Sequence, residues 1–233
     1  MTTGSIAALL FDKDGTLFDF HLSWAGWTDA LLRELANGDP HRHAALAEAT
    51  GFDAQAVRFH PSSPFIAGTL DEGCARLLPH LPGWEALELR RWMVARSGGA
   101  QMVPPLPLPP LLQGLRDRGL VLGVATNDAE GSARAQLDAA AVTGFFDVIL
   151  GADSGYTPKP APDMLLGFAE VAAVRAEATV MIGDSTHDLH AGRAAGMRTV
   201  AVLTGMASAA DLAPHADHVL DDIGALPALL DNL

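Results

Sequence analysis

The chain has 233 residues, of which 49% are hydrophobic and 18% charged, and 28 acidic against 15 basic side chains leave a net charge of −13. That is ample apolar material for one large domain or two modest ones, and so acidic a balance excludes the clustered basic charge that nucleic-acid binding uses. One cysteine, Cys74, excludes an intrachain disulfide; it suits a reducing compartment and reads as a small buried apolar side chain.

The first predicted element is a strand over residues 6–11. Its apolar run stops abruptly at Asp12-Lys13-Asp14-Gly15-Thr16, too early for a signal peptide or a membrane helix. A cytoplasmic protein with no membrane partner is the expectation. Residues 19–103 then lack β-branched runs and carry helical patterns over 27–35, 42–50, 71–78 and 84–97. Residues 58–69, rich in small polar residues, proline and glycine, read as a loop over the site. The proline-dense stretch 103–110 reads as a stiff connector entering a helix. From there strands at 120–125, 146–150, 179–182, 199–203 and 218–220 alternate with helices at 109–118, 129–141, 162–173, 187–195 and 223–230. Such alternation implies an α/β fold: a doubly wound, Rossmann-like parallel sheet with helices on both faces. Residues 1–18 and 104–233 form its core, and 19–103 form an inserted all-α helical domain.

Chemistry-bearing residues fall at the ends of these strands, where open α/β sheets bind ligands. Asp12 and Asp14 crowd two carboxylates at the first strand end, an arrangement that calls for a hard cation such as Mg²⁺. Val124-Ala125-Thr126-Asn127 ends the second core strand with a hydroxyl and backbone N–H groups able to hold phosphate oxygens. Asp128 reads as the cap of the next helix. The chain has two lysines, Lys13 and Lys159; the prolines flanking Lys159 aim a compact positive charge. Gly183-Asp184 ends a fourth apolar strand, with Asp188 four residues on at a helix start. His187 and His190 lie beside this oxygen-rich site but read as solvent-facing rather than as zinc ligands.

Asp-x-Asp-Gly-Thr, the strand-end Thr126, Lys-Pro-x-Pro-Asp at Lys159 and Gly-Asp-x-x-x-Asp with its Ala-Gly-x-x-Ala-Gly-Met continuation resemble, in order, the four motifs of the haloacid dehalogenase superfamily. The resemblance covers the whole core, and the helical insert looks like the superfamily's cap between the first two motifs. It implies a phosphatase similar to the phosphoglycolate phosphatases, acting on a small phosphorylated metabolite. Asp12 would be the nucleophile and Asp14 the general acid/base. Asp12, the Asp14 carbonyl, Asp184 and Asp188 would hold Mg²⁺. Thr126, Asn127, Lys159, Gly15 and Thr16 would contact the phosphoryl group, with Thr126 and Lys159 also serving catalysis. Asp14 sets the chain apart from the dehalogenases themselves, whose halide leaves without a proton. An insert free of lysine argues against the Schiff-base phosphonate-cleaving relatives. A phosphomutase resembling β-phosphoglucomutase is the alternative, although its cap histidine would fall at Trp24. A silent phospho-ligand-binding relative would have lost one of the four motif residues. Arg58 or Arg76 is a candidate partner for a substrate carboxylate, and Trp24 and Trp27 could face the pocket or the core. A monomer or homodimer is expected.

Overall fold

The structure, a computed structural model, describes residues 5–66, 68–97 and 99–232. In chain order the elements are β1 (Ala8–Phe11), α1 (Phe20–Ala36), α2 (Pro40–Thr50), β2 (Phe52–Asp53), β3 (Arg58–Phe59), α3 (Leu70–Leu77) and α4 (Ala86–Ser97). There follow α5 (Leu108–Asp117), β4 (Val121–Ala125), α6 (Glu130–Ala139), β5 (Val148–Leu150), α7 (Asp163–Val171), β6 (Thr179–Gly183), α8 (Thr186–Ala194), β7 (Arg198–Val202), α9 (Ala209–Leu212), β8 (His218–Leu220) and α10 (Leu226–Leu230).

Among the described residues, six strands pair in the order β5-β4-β1-β6-β7-β8, every pair parallel. The period of two along a strand sends alternate side chains to opposite faces. Leu9 and Phe11 of β1 therefore join a cluster with Leu112 of α5, Leu137 of α6 and Leu226 of α10. Ala8 and Leu10 join a second cluster with Phe168 of α7 and Ala191 of α8. This is the doubly wound sheet expected, and the near-continuous apolar strands follow from burial on both faces.

The insert has its own core of Phe20, Leu32, Leu46, Phe59, Leu77 and Met93, among others. It departs from an all-helical reading at one place. Phe52–Asp53 and Arg58–Phe59 form a two-residue antiparallel ladder, so residues 58–59 are strand rather than loop. The turn between them is built by Asp53, whose Oδ1 accepts from the backbone N–H groups of Gln55 and Ala56 at 3.0 Å each. The rings of Phe52 and Phe59 then meet edge-on at 5.0 Å. The first insert helix also starts seven residues before the expected Trp27, because Asp19 caps it through a 2.9 Å bond from the Leu22 N–H. The last helix opens instead as a 3₁₀ turn over Ile223–Ala225.

Chain entry to and exit from the insert are tied together. Asp19 N–H donates to the Val103 carbonyl at 2.8 Å, and Val103 N–H donates to Ser23 Oγ at 3.0 Å. Cys74 is buried as expected, 3.7 Å from Met93 Sδ. Among the described residues, no helix is long and apolar enough to cross a membrane.

Close packing of α7 on the sheet depends on Gly123 in β4, where an added Cβ would lie 2.2 Å from the Phe168 ring. Gly123→Ala is expected to destabilise by about 1–3 kcal/mol through overpacking. Calorimetric melting should show the midpoint falling by several degrees, with a partial return in Gly123→Ala/Phe168→Leu.

Candidate active site

β1 lies between β4 and β6, with Phe11 level with Val124 on one side and Ile182 on the other. The three chains therefore leave the sheet side by side, and Asp12, Thr126 and Asp184 emerge together. Asp12 N–H still bonds the Ile182 carbonyl at 2.8 Å, which fixes where its side chain starts. Asp188 comes from the first turn of α8. Its Oδ2 accepts from Ser185 N–H at 3.1 Å and Ser185 Oγ at 2.7 Å, a capping box that turns the carboxylate back toward the strand ends.

Asp12, Asp184 and Asp188 are buried, with one carboxylate oxygen of each within 4.8 Å of the others. Lys159 Nζ supplies the counter-charge, 2.6 Å from Asp12 Oδ1, 2.6 Å from Asp188 Oδ1 and 2.7 Å from the Ala125 carbonyl. Burial, together with repulsion from Asp188 and Asp14, pushes Asp12 up to about 7 against the pull of Lys159. Burial also raises Asp184, with Asp12 and Asp188 adding repulsion. Burial works against the Lys159 charge, but Asp12 and Asp188 outweigh it and hold the ammonium well above its usual range.

Two glycines make room for Asp184. A Cβ at Gly15 (φ +79°) would lie 2.3 Å, and at Gly205 1.8 Å, from Asp184 Oδ2. Three buried carboxylates against one ammonium leave uncompensated negative charge, which a hard divalent cation would neutralise through oxygen ligands. The donor set therefore fits a divalent metal. His190 instead packs against His215, 3.3 Å between ring nitrogens, and no histidine joins the cluster among the described residues.

Asn127 acts here through its side chain. Its Oδ1 accepts from Lys159 N–H at 3.0 Å and its Nδ2 donates to the Lys159 carbonyl at 2.9 Å, so the second strand end clamps the loop that carries the lysine. Thr126 is buried, and its Oγ1 accepts from Asp128 N–H at 3.1 Å. Asp128 is not a helix cap: α6 is entered through Ala129, and Glu130 N–H bonds Asp153 instead.

Asp14 lines the same cavity but is not part of the three-carboxylate cluster. Lys13 Nζ lies 2.8 Å from its Oδ1 and 2.7 Å from its Oδ2, and Trp24 Nε1 donates to Oδ1 at 2.6 Å. Lys13 is thus a site residue that sequence reading missed, and Trp24, a candidate for either pocket or core, lies on the Asp14 carboxylate. The one available signal was that Lys13 is half of the lysine content.

Asp12, Asp14, Thr126, Asn127, Lys159, Asp184 and Asp188 all line one cavity of about 120 Å³ between the strand ends and the insert. The insert wall is mostly apolar and includes Phe20, Trp24, Trp27, Phe65 and Met93. Gly15 and Thr16 do not line it; Gly15 lies against Asp184, and Thr16 is fully buried. Arg58 does not reach it either, and Arg76 lines the neighbouring cleft with Glu72 and His187.

The haloacid dehalogenase-like hydrolase family matches residues 6–196 of this chain. A phosphoglycolate phosphatase of Neisseria meningitidis is 36% identical over 98% of this chain and 94% of its own length. One from Rhodospirillum rubrum is 31% identical over 97% and 98%. The crystal structure of CbbY from Rhodobacter sphaeroides in complex with phosphate superposes with a TM-score of 0.72 over 97% of this chain and 99% of that one, at 22% identity. Four strand-end motifs converging on one cavity, in a chain matched by the family from its first strand to the end of α8, make this protein a member of the haloacid dehalogenase-like hydrolases.

Proposed function

We propose that this protein is a Mg²⁺-dependent phosphatase that hydrolyses a small phosphomonoester through an aspartyl-phosphate on Asp12. The supporting observation is the buried cluster of Asp12, Asp184, Asp188 and Lys159 lining one cavity between the strand ends and the insert. Residues 1–18 and 104–233 act as the catalytic core and residues 19–103 as the cap, in a monomer or homodimer.

Of the two cavity carboxylates that Lys159 holds on one oxygen, Asp188 has its other oxygen taken by Ser185, and Asp12 offers its other oxygen for attack on phosphorus. A carboxylate nucleophile divides one displacement at a crowded anion into two easier ones. Lys159 and the Thr126 and Asn127 region receive the phosphoryl oxygens, so charge is met by fixed donors rather than by reorganising water. Asp14 gives a proton to the departing alkoxide and then takes one from water, work of the kind that contributes about 10²–10⁴ in rate. Mg²⁺, held by Asp12, Asp184, Asp188 and the Asp14 carbonyl, would offset the negative charge that nucleophile and phosphate bring together. Trp27, Phe65 and their apolar neighbours exclude water from the closed site.

Phosphoglycolate heads the substrate panel because the relatives act on it by name. Neither Arg58 nor Arg76 lines the cavity, so a carboxylate-bearing substrate would depend on hydroxyls such as those of Thr28 and Thr69.

Phosphate release from phosphoglycolate, sugar phosphates and p-nitrophenyl phosphate is expected with Mg²⁺ and not with EDTA. Asp12→Asn should lower it at least 10³-fold while the protein stays folded by circular dichroism; turnover surviving in Asp12→Asn would sink the nucleophile assignment.

A second expectation concerns pH. Without metal, burial pushes folded Asp12 up to about 7, whereas an aspartate in the unfolded chain releases its proton at about pH 4. Across that window the folded state binds the proton that the unfolded chain has released, so raising the pH removes stability, with a ceiling of about 4 kcal/mol. In EDTA, melting of the wild type relative to Asp12→Asn should therefore fall from pH 4.5 to pH 7.5. Mg²⁺ should raise the wild-type midpoint more at pH 7.5 than at pH 5, because binding must displace that proton at the lower pH. A pH-independent difference in EDTA would contradict this assignment.

A further inference from the structure

Lys13 is fully buried beside the candidate acid/base, and no step above uses it. A buried ammonium is expensive unless paired and hydrogen-bonded. Lys13 Nζ meets that demand with both oxygens of Asp14, at 2.8 and 2.7 Å, and with Asp128 Oδ2 at 3.4 Å. It also donates to Gln136 Oε1 and lies 5.3 Å from the centre of the Trp24 ring. Both oxygens of Asp14 are thereby engaged, and the carboxylate is held in one direction.

The same partners reach the insert from two sides. Trp24, in the first turns of α1, donates to Asp14 Oδ1 at 2.6 Å. Gln136, on α6 of the core, donates through Nε2 to the carbonyl of Ser97, the last residue of α4, at 2.9 Å. Ser97 Oγ adds a 2.6 Å bond to Ser132 Oγ on α6. Asp14 is therefore linked to the start of the insert directly and to its end through Lys13 and Gln136. A surface lysine in a strand-end turn would have none of this, and a lysine buried only for stability would have no reason to converge with an indole N–H on one carboxylate.

We propose that Lys13 is a positioning residue for Asp14, and that Trp24 and Gln136 make the position of Asp14 depend on the docking of both ends of the insert against the core. The proposal rests on the phosphatase reading above. If Asp14 hands a proton to the leaving oxygen, displacing its carboxylate by even about 1 Å is enough to impair the transfer. The loss should then depend on whether the leaving group needs the proton. An alkoxide does; p-nitrophenolate is stable enough to depart without one.

The experiment compares kcat/KM, which covers binding through phosphoryl transfer and leaves the later hydrolysis aside. The substrates are p-nitrophenyl phosphate and the alkyl monoester best hydrolysed by the wild type. For Lys13→Met the expected loss is about 100-fold on the alkyl ester, the scale of acid catalysis, and less than threefold on p-nitrophenyl phosphate. Trp24→Phe keeps an aromatic ring and removes the N–H donor; it should show the same selectivity at roughly tenfold. Gln136→Met should follow in the same direction, and these two variants decide the matter should Lys13→Met fail to fold. Equal losses on both substrates, or no loss on either, would overturn the proposal and leave Lys13 a structural ion pair. A wild type that hydrolyses neither substrate would instead overturn the phosphatase reading, and this proposal with it.

Discussion

Lys159 holds together a set of charges that would otherwise drive the strand ends apart. Its ammonium bonds Asp12 and Asp188 at once and also takes the Ala125 carbonyl at the end of β4. Asp12 belongs to β1's exit and Asp188 to the helix after β6, so one side chain joins the three central strands at their functional end. Its own backbone is clamped by Asn127. Two ion pairs do not neutralise three carboxylates, and the remaining charge is the physical reason for assigning a cation to this place.

The second dependence runs between core and insert. The insert packs around its own hydrophobic cluster, yet it is joined to the catalytic floor by specific polar contacts. Thr204 Oγ1, just past the end of β7, donates to the Gly15 carbonyl at 2.6 Å, and Phe20 N–H bonds the Thr204 carbonyl at 3.1 Å. With Trp24 on Asp14 and Ser97 on Ser132 and Gln136, the two ends of the insert are fastened around the first strand's exit loop. An apolar wall thus faces a charged floor, and Trp24 Nε1 and Ser97 Oγ find polar partners across the boundary.

Much of this was legible in one dimension. A strand buried on both faces is a short apolar run, and an abrupt stop at Asp12, Thr126 or Asp184 marks where backbone leaves the sheet. Local rules therefore located the strand ends, their chemistry and the helical character of residues between β1 and α5, to within a residue or two at most strands. The ribbon at 52–59 was missed because two-residue ladders carry no periodicity, and its turn depends on Asp53 bonding to backbone two and three residues ahead. The start of α1 was missed because a capping aspartate outweighed an unremarkable sequence pattern.

Residue types at strand ends, and hence the family and its kind of reaction, were determined by sequence alone, since the spacing of a carboxylate from its strand is a local property. The contacts of each group were decided by tertiary structure. Asp128 was turned from a helix cap into a partner of Lys13, and the Asn127 side chain was made a clamp on Lys159. Arg58 and Arg76 were left off the cavity, and Trp24, ten residues along the chain from Asp14, was brought onto its carboxylate. These outcomes depend on how two separately packed clusters meet. No local pattern encodes that meeting, because the groups involved come from segments far apart in the chain, as in the Gln136–Ser97 bond across 39 residues.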